Sequence, residues 1–207
     1  YSGEANHKTR IWINKSDGGS VPTFLEPFKG EHYAVLAPGS ADKKRIWDTN
    51  DFVSSIKQIQ QDYPLQWIVD GNAGDYERCN YIVERLSVSG ISALNTAGKT
   101  TLRDVSLLIE GSVLVLANES GPIHIAAAVG TPTVCILSGG FYGRFYPYPG
   151  NPLTIAVTHK LPCYNCSMRC ILPEVECVTK IGVSEVVDAV INVLSQAQGL
   201  RPFAKSL

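Results

Sequence analysis

The part of the chain that most constrains its fold is the stretch from residue 112 to residue 137, SVLVLANESGPIHIAAAVGTPTVCIL. It opens with the apolar run 113–116, which is typical of a strand buried on both faces of a parallel sheet. A sharp turn follows, and Ser120 and Pro122 are residues that favour the start of a helix. The small apolar residues after the turn predict a short helix packed on a sheet, and residues 133–137 predict the next buried strand. The stretch therefore predicts a βαβ unit in a parallel sheet.

The start of this short helix is predicted to lie at the carboxyl edge of the sheet. A helix start carries unpaired backbone N–H groups and the positive end of a dipole, and open α/β sheets bind phosphates at that edge. Gly130 is expected to end the helix. Turn chemistry alone leaves a second interpretation open, in which glycine and serine serve only the tight packing of the unit.

The rest of the chain alternates in the same way between strand and helix patterns. Apolar runs predict strands over 33–37 and 65–69 and near 91–94, and Thr101 with Asp104 has the spacing of a helix capping box. The last helix is predicted from its apolar face, which comprises Val183, Val186, Val187, Val190, Ile191 and Leu194. The prediction is an α/β fold, a three-layer Rossmann-like domain with a mostly parallel sheet of about six strands.

The predicted domain occupies residues 32–207 and includes a Cys-rich loop at 162–178. Residues 1–31, which contain several Pro and Gly residues, are predicted to be a linker or the remnant of a preceding domain. Because the first residue is Tyr1 and the only methionine is Met168, the chain is expected to be a fragment.

The charge and hydropathy of the chain limit its partners. A formal net charge of −1 gives no electrostatic reason to expect a nucleic-acid partner. No run approaches the roughly 18 apolar residues that a membrane span needs, and no signal peptide is visible. A cytoplasmic location is predicted.

The central stretch resembles the signature of the family 9 glycosyltransferases, the heptosyltransferases of lipopolysaccharide core synthesis. Their usual form is a D-S/T-G-x-x-H-x-x-A-A turn and helix, followed by a small residue and proline. The matching residues are Ser120, Gly121, His124, Ala127, Gly130 and Pro132. Glu119 stands where the commonest form has Asp. The resemblance, which extends from about Tyr33 to about Leu194, implies the donor-binding half of a two-domain GT-B enzyme.

The resemblance implies an inverting, metal-independent transferase that uses ADP-heptose or a related nucleotide sugar. The resemblance also implies that the departing diphosphate is stabilised by the N–H groups of Ser120 and Gly121 and by a hydrogen bond from His124. Glu119 would repel phosphate and is expected to accept hydrogen bonds from sugar hydroxyls.

A Gly-Ser turn followed by three cations comes after the first predicted strand. Cation runs often form only a solvated surface, but family members carry P-G-A/S and K-x-W-like elements here. Lys44, three residues before Trp47, is therefore expected to bind phosphate, with Lys43 as the alternative. The predicted catalytic residues are Lys44 and His124, and the predicted donor-binding residues are Gly39, Ser40, Lys43, Thr96, Gly98, Glu119, Ser120, Gly121 and Arg144.

Four cysteines fall in the pattern Cys163-x2-Cys166-x3-Cys170-x6-Cys177. The spacing leaves three interpretations open: a structural zinc or iron–sulfur site, free thiols, or two disulfides. Catalysis itself is expected to need no cofactor.

The acceptor is expected to be lipopolysaccharide core or another glycan, bound through an N-terminal domain that also supplies the general base. The chain alone is accordingly expected to bind donor weakly and to transfer sugar poorly, and peripheral contact with the inner membrane stays open. Two alternatives remain at this stage: a nucleotide-sugar epimerase of the same fold, and a non-catalytic ligand-binding module.

Overall fold

A computed structural model describes Phe28, residues 32–148 and residues 153–198 of the chain. The strands are β1 (Tyr33–Ala37), β2 (Gln66–Val69), β3 (Ala93–Asn95), β4 (Leu114–Asn118), β5 (Thr133–Ile136) and β6 (Thr154–Val157). The helices are α1 (Thr49–Asp62), α2 (Tyr76–Ser87), α3 (Leu102–Gly111), α4 (Gly121–Val129), α5 (Glu176–Thr179) and α6 (Val183–Gln198). Apart from Phe28, the predicted linker over residues 1–31 lies outside the described residues, as does the tail 199–207.

The six described strands form one sheet in the order β3-β2-β1-β4-β5-β6, and every neighbouring pair is parallel. The predicted α/β fold with a mostly parallel sheet is confirmed. The strand order reverses between β1 and β4, where Val35 pairs with Val115. Doubly wound sheets bind ligands in the crevice at such a reversal, outside the carboxyl ends of the strands.

The sheet is buried on both faces because its strands alternate apolar residues between two cores. Leu36 and Leu116 point into the core under α1, α2 and α6, whereas Val35 and Val115 point into the core under α3 and α4. Phe28 is 7% exposed and belongs to the second core, where its ring meets Tyr33 edge to face. The three predicted layers are therefore present.

Side chains cap the starts of α1 and α3, as the sequence pattern predicts. The Thr101 hydroxyl accepts from the Asp104 N–H while the Asp104 carboxylate accepts from the Thr101 N–H, which is the predicted capping box of α3. Gly130 ends α4 with a φ of 79°, in the left-handed region that glycine adopts freely. Among the described residues, no helix is both long and apolar enough to cross a membrane.

Candidate functional site

A cavity of about 410 Å³ opens at the carboxyl edge of the sheet. Its walls come from the segments that follow β1, β2, β3 and β4: Ala37, Gly39, Ser40, Ala41, Asp70, Gly71, Asn72, Asp75, Thr100, Thr101, Leu102, Val105, Ser120, Gly121, Pro122 and Ile125. The predicted residues Gly39, Ser40, Ser120 and Gly121 are therefore brought together at the point where the strand order reverses.

The start of α4 forms one wall of this cavity and is open to solvent. Gly121 is exposed, and a Cβ added there would meet no atom within 4 Å. Its N–H is in the first helical position and has no acceptor within the helix. The Ser120 hydroxyl does not cap the helix but donates to the Asn118 carbonyl at 3.0 Å. The backbone N–H groups at the start of α4 are thus accessible to an anion.

The opposite wall contains two buried carboxyl groups. Asp75 lies beneath the loops after β1 and β2, and its carboxylate is so close to Gly39 that a Cβ added to the glycine would come within 2.5 Å of it. Arg78 pairs with the same carboxylate at 2.7 Å. Gly39 is therefore required for close approach of two loops as well as for an open cavity wall.

Asp70 is 4% exposed and accepts hydrogen bonds from the hydroxyls of Thr96 at 2.7 Å and Thr100 at 2.9 Å. Burial raises its pKa, and these hydrogen bonds only partly oppose the effect. Thr96 is thus turned towards Asp70, while Gly98, at a φ of 74°, packs on Ala73. The structure does not place Thr96 or Gly98 on the described cavity wall.

The cations after β1 point in different directions. Lys43 and Lys44 are exposed, and the Lys44 Nζ donates to the Met168 carbonyl at 3.1 Å. Arg45 instead turns towards the start of α4, with its Nη1 3.7 Å from the Glu119 Oε1 and its guanidinium 5.4 Å from the Phe141 ring centroid. The Arg45 Nε is buried and has no hydrogen-bond partner among the described residues.

Arg45 is the residue that the sequence prediction passed over. The signal was present, because a K-x-W-like element read backwards from Trp47 puts the cation at Arg45 rather than at Lys44. The indole of Trp47 is buried and its ring N–H donates to the Ile181 carbonyl at 3.0 Å, so the position of Trp47, two residues after Arg45, is well fixed.

The carboxylate of Glu119 is 3% exposed and faces the end of β5 rather than the cavity. Its Oε2 accepts from the Ser138 hydroxyl at 2.9 Å, while its Oε1 lies near Arg45. Its backbone carbonyl accepts from the Ser40 hydroxyl at 3.2 Å, which ties the loop after β1 to the turn before α4. The expected contact of Glu119 with sugar hydroxyls stays a prediction.

His124 lies in the first turns of α4, and its Nδ1 is 2.7 Å from the Tyr148 hydroxyl oxygen. Burial lowers its pKa, and the negative charge of Glu119 partly opposes this. Arg144 is exposed, with its guanidinium over the rings of Phe141 and Phe145. Neither side chain is on the described cavity wall, so their roles towards a donor also stay predictions.

The cysteine pattern does not form a metal site in the structure. No group of three or more His, Cys, Asp or Glu side chains among the described residues is arranged to hold a metal ion. The interpretation of Cys163, Cys166, Cys170 and Cys177 as ligands of a structural metal therefore stays a prediction, and all six cysteines are free thiols, so the two disulfides are not present in the structure. The loop instead packs on the turn after β5 through its backbone, where the Asn165 N–H donates to the Gly139 carbonyl at 2.7 Å.

Comparisons with known proteins identify the family of the chain. Residues 6–175 match the sequence model of glycosyltransferase family 9 (heptosyltransferase). The chain is 25% identical over 170 residues to lipooligosaccharide heptosyltransferase 2 of Campylobacter jejuni, covering 81% of this chain and 53% of that protein. It is 30% identical over 122 residues to lipopolysaccharide heptosyltransferase 3 of Escherichia coli K12, covering 58% of this chain and 35% of that protein. The chain thus spans about half, or less, of the length of these curated relatives.

Solved structures share the fold. A family 9 glycosyltransferase from Veillonella parvula superposes with a TM-score of 0.66 at 20% identity, over 85% of this chain and 51% of that one. The E. coli heptosyltransferase WaaC with ADP-2-deoxy-2-fluoro heptose superposes with a TM-score of 0.52 at 18% identity, over 80% of this chain and 43% of that one. With the family match covering most of its length, this chain belongs to glycosyltransferase family 9, the heptosyltransferases.

Proposed function

We propose that this chain binds the nucleotide-sugar donor of a glycosyltransferase, ADP-heptose or a related nucleoside-diphosphate sugar, for transfer to an acceptor of the lipopolysaccharide type. The observation that carries the proposal is the open start of α4 on the wall of a cavity at the reversal of strand order. The match to family 9 and the ADP-heptose analogue in the structure of WaaC support the same ligand class.

The cavity has a suitable chemistry for the two ends of a nucleoside diphosphate. The N–H groups and dipole at the start of α4 favour the negative charge of phosphate. Leu102, Val105 and Ile125 add apolar wall, which suits the faces of a nucleobase. The buried carboxyl groups of Asp70 and Asp75 disfavour phosphate at their end, so the diphosphate belongs towards α4.

The proposed reaction inverts the anomeric centre without a metal ion. As the glycosidic bond to the diphosphate breaks, negative charge grows on the leaving group, and fixed donors stabilise it. The start of α4 is the first source of such donors. Arg45 is the second, because its buried Nε lacks a partner and its guanidinium lies beside the turn before α4. A guanidinium has five donors, so Arg45 can bind Glu119 and a phosphate oxygen together.

The acceptor is proposed to bind, and the general base to come from, the part of such enzymes that this chain does not match. Its curated relatives are two to three times as long as the matched part, since the coverage of those proteins is 53% and 35%. Donor binding by the chain is therefore expected to be measurable, and efficient transfer is expected only when the remaining part of such an enzyme is present. Membership in family 9 favours a transferase over the epimerase and the non-catalytic module.

Calorimetric titration with ADP, UDP and GDP tests the donor site. We expect one nucleotide, ADP, to bind. Gly121→Glu is expected to weaken ADP binding more than tenfold, because a carboxylate at the start of α4 both occupies the phosphate position and repels the negative charge of the diphosphate. The free space around position 121 means that this change should not disturb folding. Val88→Glu, at an 86% exposed position just after α2, adds the same charge at the other edge of the sheet and is the control. Failure of all three nucleotides to bind the folded chain would refute the proposal.

A further inference from the structure

The contact between His124 and Tyr148 joins α4 to the loop that follows β5. The His124 Nδ1 and the Tyr148 hydroxyl oxygen are 2.7 Å apart, and the two rings meet edge to face with centroids 5.9 Å apart. Tyr148 is in turn packed edge to face on the ring of Tyr146, which is 1% exposed. The tyrosine is thus held on both sides, and its hydroxyl is in a defined place next to the imidazole.

His124 lies about one helical turn from the proposed phosphate site at the start of α4. It is the fourth residue of α4, and every Cα–Cβ bond in a helix is tilted towards the helix N-terminus. The Cβ of His124 is therefore tilted towards the start of α4, where the open N–H groups lie. Because burial lowers the pKa of His124, the ring is neutral near pH 7 and carries one proton that can be on either nitrogen.

The hydroxyl of Tyr148 selects between the two neutral forms. A phenol donates well and accepts poorly, because its oxygen lone pair is delocalised into the ring, whereas an unprotonated imidazole nitrogen is a strong acceptor. Donation from Tyr148 to Nδ1 leaves the proton of His124 on Nε2. The opposite arrangement would put the proton on Nδ1 and leave Nε2 as an acceptor, which repels a phosphate oxygen.

We propose that Tyr148 is a positioning residue, whose hydroxyl donates to Nδ1 of His124 and so presents Nε2–H as a donor to the diphosphate of the nucleotide sugar. This inference rests on the proposed donor site and adds to it a residue outside the family signature in the central stretch. Tyr148 acts through His124 and is not itself a catalytic residue.

The tautomer of His124 is measured in the free chain by nitrogen-15 NMR of the imidazole. We expect Nδ1 to resonate as an unprotonated nitrogen and Nε2 as a protonated one, and Tyr148→Phe to mix the two forms. Tyr146→Phe is the matched control, because the Tyr146 hydroxyl is buried without a partner among the described residues and its loss leaves the His124 contact intact. A wild-type chain protonated on Nδ1 would overturn the proposal.

Titration with ADP then tests the consequence. Tyr148→Phe is expected to weaken ADP binding about three- to tenfold, the size of one neutral hydrogen bond, and Tyr146→Phe to leave it unchanged. In a His124→Ala background, Tyr148→Phe should have no further effect. An equal loss in both backgrounds would show that Tyr148 acts by packing alone and would contradict the inference. The NMR result does not depend on nucleotide binding, so a failure of the donor site itself is recognised separately.

Discussion

The choice between Arg45 and Lys44 as the phosphate cation gives the sharpest prediction. Arg45→Gln removes a guanidinium that lies 3.7 Å from a carboxylate with 3% exposure, while its own side chain is 23% exposed. Lys44→Gln removes an exposed ammonium whose described hydrogen bond is to the Met168 carbonyl. We expect the arginine variant to lose most of the affinity for ADP and the lysine variant to lose little.

The expected sizes follow from the two environments. A hydrogen bond between a charged donor and phosphate in a partly buried place contributes about 1.5–3 kcal/mol. Its loss corresponds to roughly 10- to 150-fold weaker binding of ADP. An exposed ion pair contributes about 0–1 kcal/mol, which is at most about a fivefold change for Lys44→Gln. The two variants are therefore separated by more than the error of a calorimetric titration.

The assay is titration with ADP at one fixed salt concentration, with circular dichroism to show that each variant is folded. Arg85→Gln is the control, because Arg85 lies in the last turn of α2, at the opposite edge of the sheet from the cavity. A larger loss for Lys44→Gln than for Arg45→Gln would refute the assignment and restore the original prediction. Equal small losses would show that the start of α4 binds the diphosphate without either cation.

Three further predictions concern stability and protonation. Gly39→Ala puts a Cβ within 2.5 Å of the Asp75 carboxylate and should lower the free energy of unfolding by about 1–3 kcal/mol in urea titrations; an unchanged midpoint would contradict this packing. Asn118→Ala removes two buried hydrogen bonds, one accepted from the Trp47 backbone N–H at 3.1 Å and one donated to the Pro38 carbonyl at 2.7 Å, and should lower the free energy of unfolding by about 2–4 kcal/mol in the same assay. Because folding lowers the pKa of His124, the free energy of unfolding should fall as the pH drops below about 6.5, the pKa of an unperturbed histidine. The part of this pH dependence that comes from His124 should be missing in His124→Gln.

Much of the fold could be predicted because its signals are local. The apolar runs and the small-residue helix around the central turn determine a parallel sheet with little ambiguity. The third strand shows the limit, because it begins at Ala93 rather than near Ile91. Ile91 is buried just after the end of α2, where its N–H donates to the Leu86 carbonyl and the preceding Gly90 has a φ of 73°. An apolar residue in a helix end looks the same in sequence as one in a strand.

The candidate site was predictable in its backbone and not in its side chains. Turn residues and caps act within a few positions, so the start of α4 could be placed from the sequence. The directions of Lys44, Arg45 and Glu119 depend on contacts with Met168, Phe141 and Ser138, which are distant in sequence. The cysteine spacing was undecided for the same reason, since ligand geometry is a property of the folded loop.

The ion pair between Arg45 and Glu119 would allow a buried carboxylate to lie beside the proposed phosphate site. Glutamate is one methylene longer than the aspartate that is usual at this position, and its carboxylate is bonded to the Ser138 hydroxyl, away from the cavity. The distance of 3.7 Å to Arg45 is long for an ion pair, so Glu119 attracts the guanidinium without using all of its donors. The same attraction restricts the arginine side chain before any ligand arrives, which lowers the entropy that phosphate binding must overcome. We therefore expect Glu119 to favour the proposed anion site indirectly, by holding the Arg45 guanidinium beside the turn before α4.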